Sequence, residues 1–214
     1  AWVVEHHHQW IDQLGVEIHL ETPFSNTLLQ EINPHVLVLS IGAVPFIPQD
    51  IEIGDIVPLH AEELIRKGHS WSKEQVAVIG GGALGCELAL ALAKADNKVV
   101  VLEACEDAAR DIEPISRYDL LDRLSKESRV HLLINSRVRL VDSNKILYET
   151  APGTHINLSV DHIVWATGYR PRDLEEELPF DLFPELEVKR IGDCLKPRNV
   201  FHAIRDGFWF GVKV

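Results

Sequence analysis

Val76-Ala77-Val78-Ile79-Gly80-Gly81-Gly82-Ala83-Leu84-Gly85, followed by Val99-Val100-Val101-Leu102 and then Glu103, is the stretch that decides the fold. The first run is short and rich in β-branched residues, which predicts a buried strand over 75–79. The Ala/Leu-rich segment after the glycines predicts a helix over 83–95, and the second apolar run a strand over 98–103. Strand, helix and strand in that order form a βαβ unit of the usual length. Within it, Gly80 permits the tight turn, Gly82 lets the backbone approach a pyrophosphate, and Gly85 lets the helix pack close to the strand. Gly81 completes the loop, and Ala83 and Leu84 open a helix whose free N–H groups and positive dipole end meet the anion. Glu103 ends the second strand, where a carboxylate accepts hydrogen bonds from the adenine ribose hydroxyls and repels a 2′-phosphate. Glu106 and Asp107 follow it and only Arg110 opposes them, so the pattern favours NAD(H) over NADP(H).

The same grammar extends outward on both sides. Residues 2–14 read as a helix stopped by Gly15, and Val16 to Leu20 alternates like a strand. Ser25 or Asn26 caps a short helix through Ile32, Pro34 breaks it, and Val36 to Ile41 predicts a fully buried strand running into Gly42. Downstream, Pro114 suits the first turn of a helix over 115–125, and strands follow at 130–134, 137–141 and 145–149. Ile163-Val164-Trp165-Ala166-Thr167-Gly168 repeats the pattern of Leu37 to Gly42, a buried run that ends in glycine. The repeat predicts two related nucleotide-binding domains, one set inside the other. The fold expected is α/β, a Rossmann-like NAD-binding domain over 59–160 inserted in a partial FAD-type dinucleotide-binding domain made of 1–58 and 161–214.

Composition narrows the function classes. With 214 residues, 46% of them hydrophobic, the chain is long enough to bury a sizeable core. Its apolar runs fall far short of the roughly 20 residues needed to span a membrane, and no signal peptide opens it, so a soluble, cytoplasmic setting is expected. A net charge of −12 without a basic stripe argues against nucleic acid as a partner. Cys86, Cys105 and Cys194 are widely spaced with no CxxC pair, which spells out neither a redox dithiol nor a metal site. His6-His7-His8 would point in three directions on a helix and suits no single metal. The chain starts at Ala1 and has no methionine. It reads either as an excised piece or as a sequence from which modified methionines were dropped.

Taken together the motifs resemble the C-terminal region of 2,4-dienoyl-CoA reductase-like NADH:flavin oxidoreductases, a group that includes enoate reductases and trimethylamine dehydrogenase relatives. The resemblance is carried by Gly15-Val16-Glu17-Ile18, Ser40-Ile41-Gly42-Ala43-Val44-Pro45, the glycine run through Glu87, and Glu113-Pro114-Ile115-Ser116-Arg117. Ala166-Thr167-Gly168-Tyr169-Arg170-Pro171 and Ile191-Gly192-Asp193-Cys194-Leu195-Lys196-Pro197-Arg198 complete it. Ser40-Ile41 departs from the usual Ala-Thr of that group. The resemblance implies that Asp193 hydrogen-bonds the ribityl chain of FAD with Gly192 among the cofactor-binding positions, that Gly42 and Gly168 lie at crossings between domains near the cofactors, and that Glu87 sits beside the nicotinamide. It implies FAD in the full-length protein, and, further upstream, an FMN barrel and an iron-sulfur cluster. The missing N-terminal flavin domain would then be this chain's covalent partner, and apolar strands left uncovered without it would invite pairing with a second copy.

The resemblance implies an enzyme that passes a hydride from NADH to FAD for reduction of an enoyl or enoate substrate. No residue of this chain is assigned as catalytic, and the chain alone is expected to be inactive. A competing reading is a non-catalytic module that holds an adenine nucleotide, as in the amine dehydrogenase branch.

Overall fold

Ser25 caps a helix near the start of the chain: its hydroxyl accepts the Leu28 N–H at 3.2 Å and starts α2 (Asn26–Ile32). Before it lies α1 (Trp2–Gln13), and after it β1 (Val36–Leu39), which pairs with β12 (Glu187–Arg190). The computed structural model describes residues 2–174 and 183–213. They fall into two compact units, Ala1–Val38 with Asp173–Lys189, and Leu39–Arg172 with Arg190–Val214.

Two expectations for the first forty residues are corrected. Residues 16–20 form no strand; Val16, Ile18 and Leu20 are all exposed, so their alternation has no buried face to serve. β1 is half-buried, with only Leu39 fully inside, because its described partner is the single strand β12.

The second unit is built on a four-stranded parallel sheet in the order β10 (His162–Trp165), β4 (Gln75–Ile79), β5 (Lys98–Leu102), β6 (Val130–Leu133). β4 is therefore an inner strand. The helices α4 (Ala83–Lys94) and α5 (Pro114–Lys126) make the crossovers between successive strands, as parallel neighbours require. Strand alternation separates two cores. Val76, Val78, Val99 and Val101 face Cys86, Ala89 and Leu92 of α4, while Ala77, Ile79 and Leu102 turn the other way. Each fully buried Val or Leu in these layers contributes about 1.5–3 kcal/mol, so α4 is fixed by packing more than by propensity. Asn97 closes the turn after α4 from within the core: Nδ2 donates to the carbonyls of Leu92 and Trp71, and Oδ1 accepts from Glu74 N–H at 3.1 Å.

A second sheet, antiparallel except at its edge, covers the other face. Its order is β3 (Glu52–Ile53), β7 (Arg137–Asp142), β8 (Lys145–Ala151), β9 (Thr154–Ser159). Val138, Val141, Ile146 and Tyr148 join the core on the Ile79 and Leu102 side. The sheet opposes one face of the parallel sheet and α4 the other.

The strand over 162–165 pairs with β4 in register, His162 beside Val76 and Trp165 beside Ile79, so it extends the sheet that carries the glycine loop. Its echo of Leu37 to Gly42 has another expression: the residues just after each glycine, β2 (Ala43–Pro45) and β11 (Tyr169–Pro171), pair with each other in an antiparallel ribbon. The remaining helices are α3 (Ala61–Lys67) and α6 (Val200–Lys213). Among the described residues no helix is long and apolar enough to cross a membrane. The run Glu175-Glu176-Glu177, whose charge predicts a solvated helix start, lies outside the described residues.

Candidate functional site

The parallel sheet ends at a turn that only glycine fits. Gly80 leaves β4 with φ at 106°, in the region that side chains rarely enter, and its N–H donates to Leu102 O at 2.9 Å. Gly82 is the N-cap of α4 in extended conformation and supplies no side-chain cap. Gly85, one turn into the helix, is pressed against the loop: a Cβ there would overlap the carbonyl oxygen of Gly80 and lie 3.3 Å from the Cβ of Ala166. The helix start is thus held directly over the end of β4.

Glu103 follows β5 and is aimed back at this loop. Its Oε2 accepts the Gly81 N–H at 2.6 Å and its Oε1 the Cys105 N–H at 2.7 Å. A Cβ on residue 81 would stand 2.8 Å from the Cβ of Glu103, so the carboxylate approaches only because residue 81 has none. The loop that follows Glu103 folds over the glycines. Its Ala109 N–H donates to Gly81 O at 2.7 Å, and Asp111 Oδ1 accepts the Ala83 N–H at 2.9 Å.

Two cavities meet at Glu103. The larger, about 320 Å³, is lined by Gly80 to Gly82, Leu84, Glu103, Cys105, Asp107, Ala109, Arg110, Asp111 and the run Ala166 to Tyr169. The smaller, about 170 Å³, lies between the ends of β4 and β5 and the second sheet, where Ile51, Ser136, Arg137 and Val138 join Glu103 and Thr167. Three carboxylates and one guanidinium line the larger cavity. Asp107 is ion-paired with Arg117, whose Nε also donates to Ala108 O at 2.8 Å. The Tyr169 hydroxyl is held above its ordinary range, first by burial and then by the charge and hydrogen bond of Glu62.

The residues singled out from sequence divide in two. Gly80, Gly81, Gly82, Leu84, Glu103 and Gly168 come together on the larger cavity, with Ala83 and Gly85 packed directly behind them. Glu87 is exposed on α4 outside the linings of both cavities. Gly42 opens the β2 ribbon, where its carbonyl accepts the Arg172 N–H at 3.1 Å. Gly192 and Asp193 start a short 3-10 turn, and Asp193 Oδ1 accepts the Arg198 N–H at 3.1 Å. Asp111 is one of the lining residues that the sequence did not disclose as part of the site. It has no fixed spacing from the glycines, and only the folded loop brings it to the helix.

The cysteines differ by position. Burial, followed by the negative charges of Asp111, Glu103 and Glu87, pushes the Cys86 thiol up to about 12, and its Sγ lies 3.4 Å from Gly81 O. Cys194 is buried and Cys105 exposed, with the Cys105 thiol raised by its hydrogen bond to Glu103. The thiolate is the reactive form, so at about pH 8 an aryl disulfide reagent is expected to modify Cys105 alone, and slowly, in the native chain. Cys86 and Cys194 should react only in denaturant, and a second native-state thiol in the colorimetric trace would contradict this burial. Among the described residues no cluster of histidine, cysteine and carboxylate groups is arranged to hold a metal ion.

The family model described as pyridine nucleotide-disulphide oxidoreductase matches residues 12–188. An NADH oxidase of Thermoanaerobacter brockii is 28% identical over 211 residues, covering 92% of this chain and 31% of that protein. A cinnamate reductase of Clostridium sporogenes is 28% identical over 198 residues, covering 91% of this chain and 29% of the relative. The chain therefore spans about a third of the length of the curated relatives it matches. Among solved structures, a 2-naphthoyl-CoA reductase complex superposes with a TM-score of 0.78 at 24% identity, over 99% of this chain and 32% of that one. The histamine dehydrogenase of Rhizobium sp. 4-9 does so with a TM-score of 0.82 at 16% identity, over 99% of this chain and 36% of that one. At these identities the structural likeness is one of fold.

Proposed function

We propose, from the premise that this chain belongs to the pyridine nucleotide-disulphide oxidoreductase family, that its glycine loop binds NAD(H) and delivers it to a flavin. The observation that carries this is the Glu103 carboxylate, held by the Gly81 N–H at the rim of a cavity floored by Gly80 to Gly82. The residues fit the group: the positions without Cβ atoms leave room for a pyrophosphate beside the α4 N-terminus, and Glu103 is placed to accept hydrogen bonds from ribose hydroxyls. The smaller cavity beside Ser136 and Val138 takes the adenine ring. Bound NADH supplies a hydride, and the protein's part is to position it. Thr167, Gly168 and Tyr169 wall the larger cavity at the end of β10. Carboxylates on the lining disfavour the additional phosphate of NADPH.

In the whole protein the acceptor would be FAD, with enoyl or enoate compounds as the final class of substrate, as the cinnamate reductase relative suggests. The inserted arrangement is part of this proposal: an NAD-type unit within an FAD-type domain formed by 1–58 and 161–214, with β10 in the NAD-type sheet. Calorimetric titration tests it. NADH is expected to bind more tightly than ADP, because a hydride donor's site gains affinity from the nicotinamide half. Equal affinities would favour a module that only holds an adenine nucleotide, and no binding of either would overturn the reading.

The 214-residue polypeptide alone is expected to carry little or no flavin. Asp193 supplies one hydrogen bond to a ribityl chain, worth about 1.5–3 kcal/mol, whereas micromolar binding takes about 8 kcal/mol. A stoichiometric flavin absorbance band in the purified chain would contradict that.

A further inference from the structure

We propose that Asp111 is an internal competitor for the phosphates of the nucleotide, a carboxylate that occupies the N-terminus of α4 until a ligand displaces it. The proposal rests on the dinucleotide reading of the cavity and adds a gate to it. A helix N-terminus offers unpaired N–H donors and a partial positive charge. α4 satisfies neither from its own sequence, since its first turn holds no acidic residue and its N-cap is a glycine. Asp111 does so from outside the helix. Its Oδ1 accepts the Ala83 N–H at 2.9 Å, and its Oδ2 stands 3.4 Å from where a Cβ on Gly82 would be. The carboxylate thus lies across the approach to the residue whose missing side chain makes room for a pyrophosphate.

The backbone beside Asp111 is held on the glycine loop, while its side chain borders solvent. Ala108 and Ala109 are buried, and the Ala109 N–H is bonded to Gly81 O at 2.7 Å, so the loop stays on the glycines. The Asp111 residue itself is exposed and can swing into water by rotation of its side chain alone. A diphosphate entering the cavity would face Glu103, Asp107 and Asp111, with Arg110 the one cationic side chain on the described lining. Like charges at contact distance disfavour the seated carboxylate, so phosphate and Asp111 hold the N-terminus in alternation. If the carboxylate is seated in about nine molecules of ten, the apparent affinity for a phosphate-bearing ligand is lowered about tenfold.

The test uses the full 214-residue chain with ADP and adenosine as paired probes. In Asp111→Ala, ADP is expected to bind about tenfold more tightly than in the unaltered chain, with adenosine unchanged because it brings no phosphate to the α4 N-terminus. Asp111→Asn keeps an acceptor for the Ala83 N–H but removes the charge, and should show a smaller gain in the same direction. It also serves where loss of the cap unfolds the alanine variant. If the asparagine variant, and the alanine variant where it folds, bind ADP no better than the unaltered chain does, Asp111 is a fixed support for the loop and the gate is refuted. ADP binding to the unaltered chain in that case leaves the dinucleotide reading standing. Absence of ADP binding in all three overturns both.

Discussion

A Gly85→Ala chain is expected to lose about 3 kcal/mol or more of folding stability and all measurable NADH binding. Helix propensity alone predicts the opposite sign, since alanine is favoured over glycine inside a helix by about 1 kcal/mol. Contact decides the outcome. The added methyl would overlap the Gly80 carbonyl oxygen, with the Cβ of Ala166 at 3.3 Å on another side, and the first of these neighbours is backbone that cannot rotate away. Overpacking a core costs about 1–3 kcal/mol when side chains can adjust, and here α4 must move off the end of β4. That shift takes the N-terminal N–H groups away from the cavity. Urea denaturation gives the stability and calorimetry the affinity; an unchanged midpoint would mean that the helix start is looser than its packing against Gly80 indicates.

Glu103→Ala has the next largest effect. It is expected to weaken NADH binding by about 1–3 kcal/mol, the range for hydrogen bonds to a charged group, and to narrow the preference over NADPH. The carboxylate also accepts the Gly81 and Cys105 N–H groups, so part of the loss comes from a loosened loop. Glu103→Gln separates the two contributions, because the amide oxygen still accepts one of these bonds while the charge is gone. An NADH affinity that survives both changes would reduce Glu103 to a clamp on the loop.

The βαβ unit was legible because its signals are local. β4 spans the predicted residues 75–79, and α4 and β5 end within a residue of their expected bounds. A run rich in β-branched residues, a glycine loop and an apolar helix can hardly be arranged otherwise. What was not legible depends on partners far away in sequence. Nothing in Ile163-Val164-Trp165 says that it joins β4, since any buried parallel strand reads alike. β9 was missed although Ile156 and Leu158 alternate with Asn157 and Ser159; the segment is short and mostly exposed, so no buried run marks it out. Val16 to Leu20 shows the converse, alternating residues with no sheet beside them. At the site, Glu103 was found because it ends a strand at a fixed distance from the glycines. Asp111 was not, because its distance from them is set by the path of a loop.

The most direct test of the central claim is a crystal structure of the chain soaked with NADH. It is expected to show the adenine ribose hydroxyls within hydrogen-bond distance of the Glu103 carboxylate and the pyrophosphate against Gly82 at the start of α4. A ligand bound elsewhere, or a pyrophosphate remote from Gly82, would contradict it.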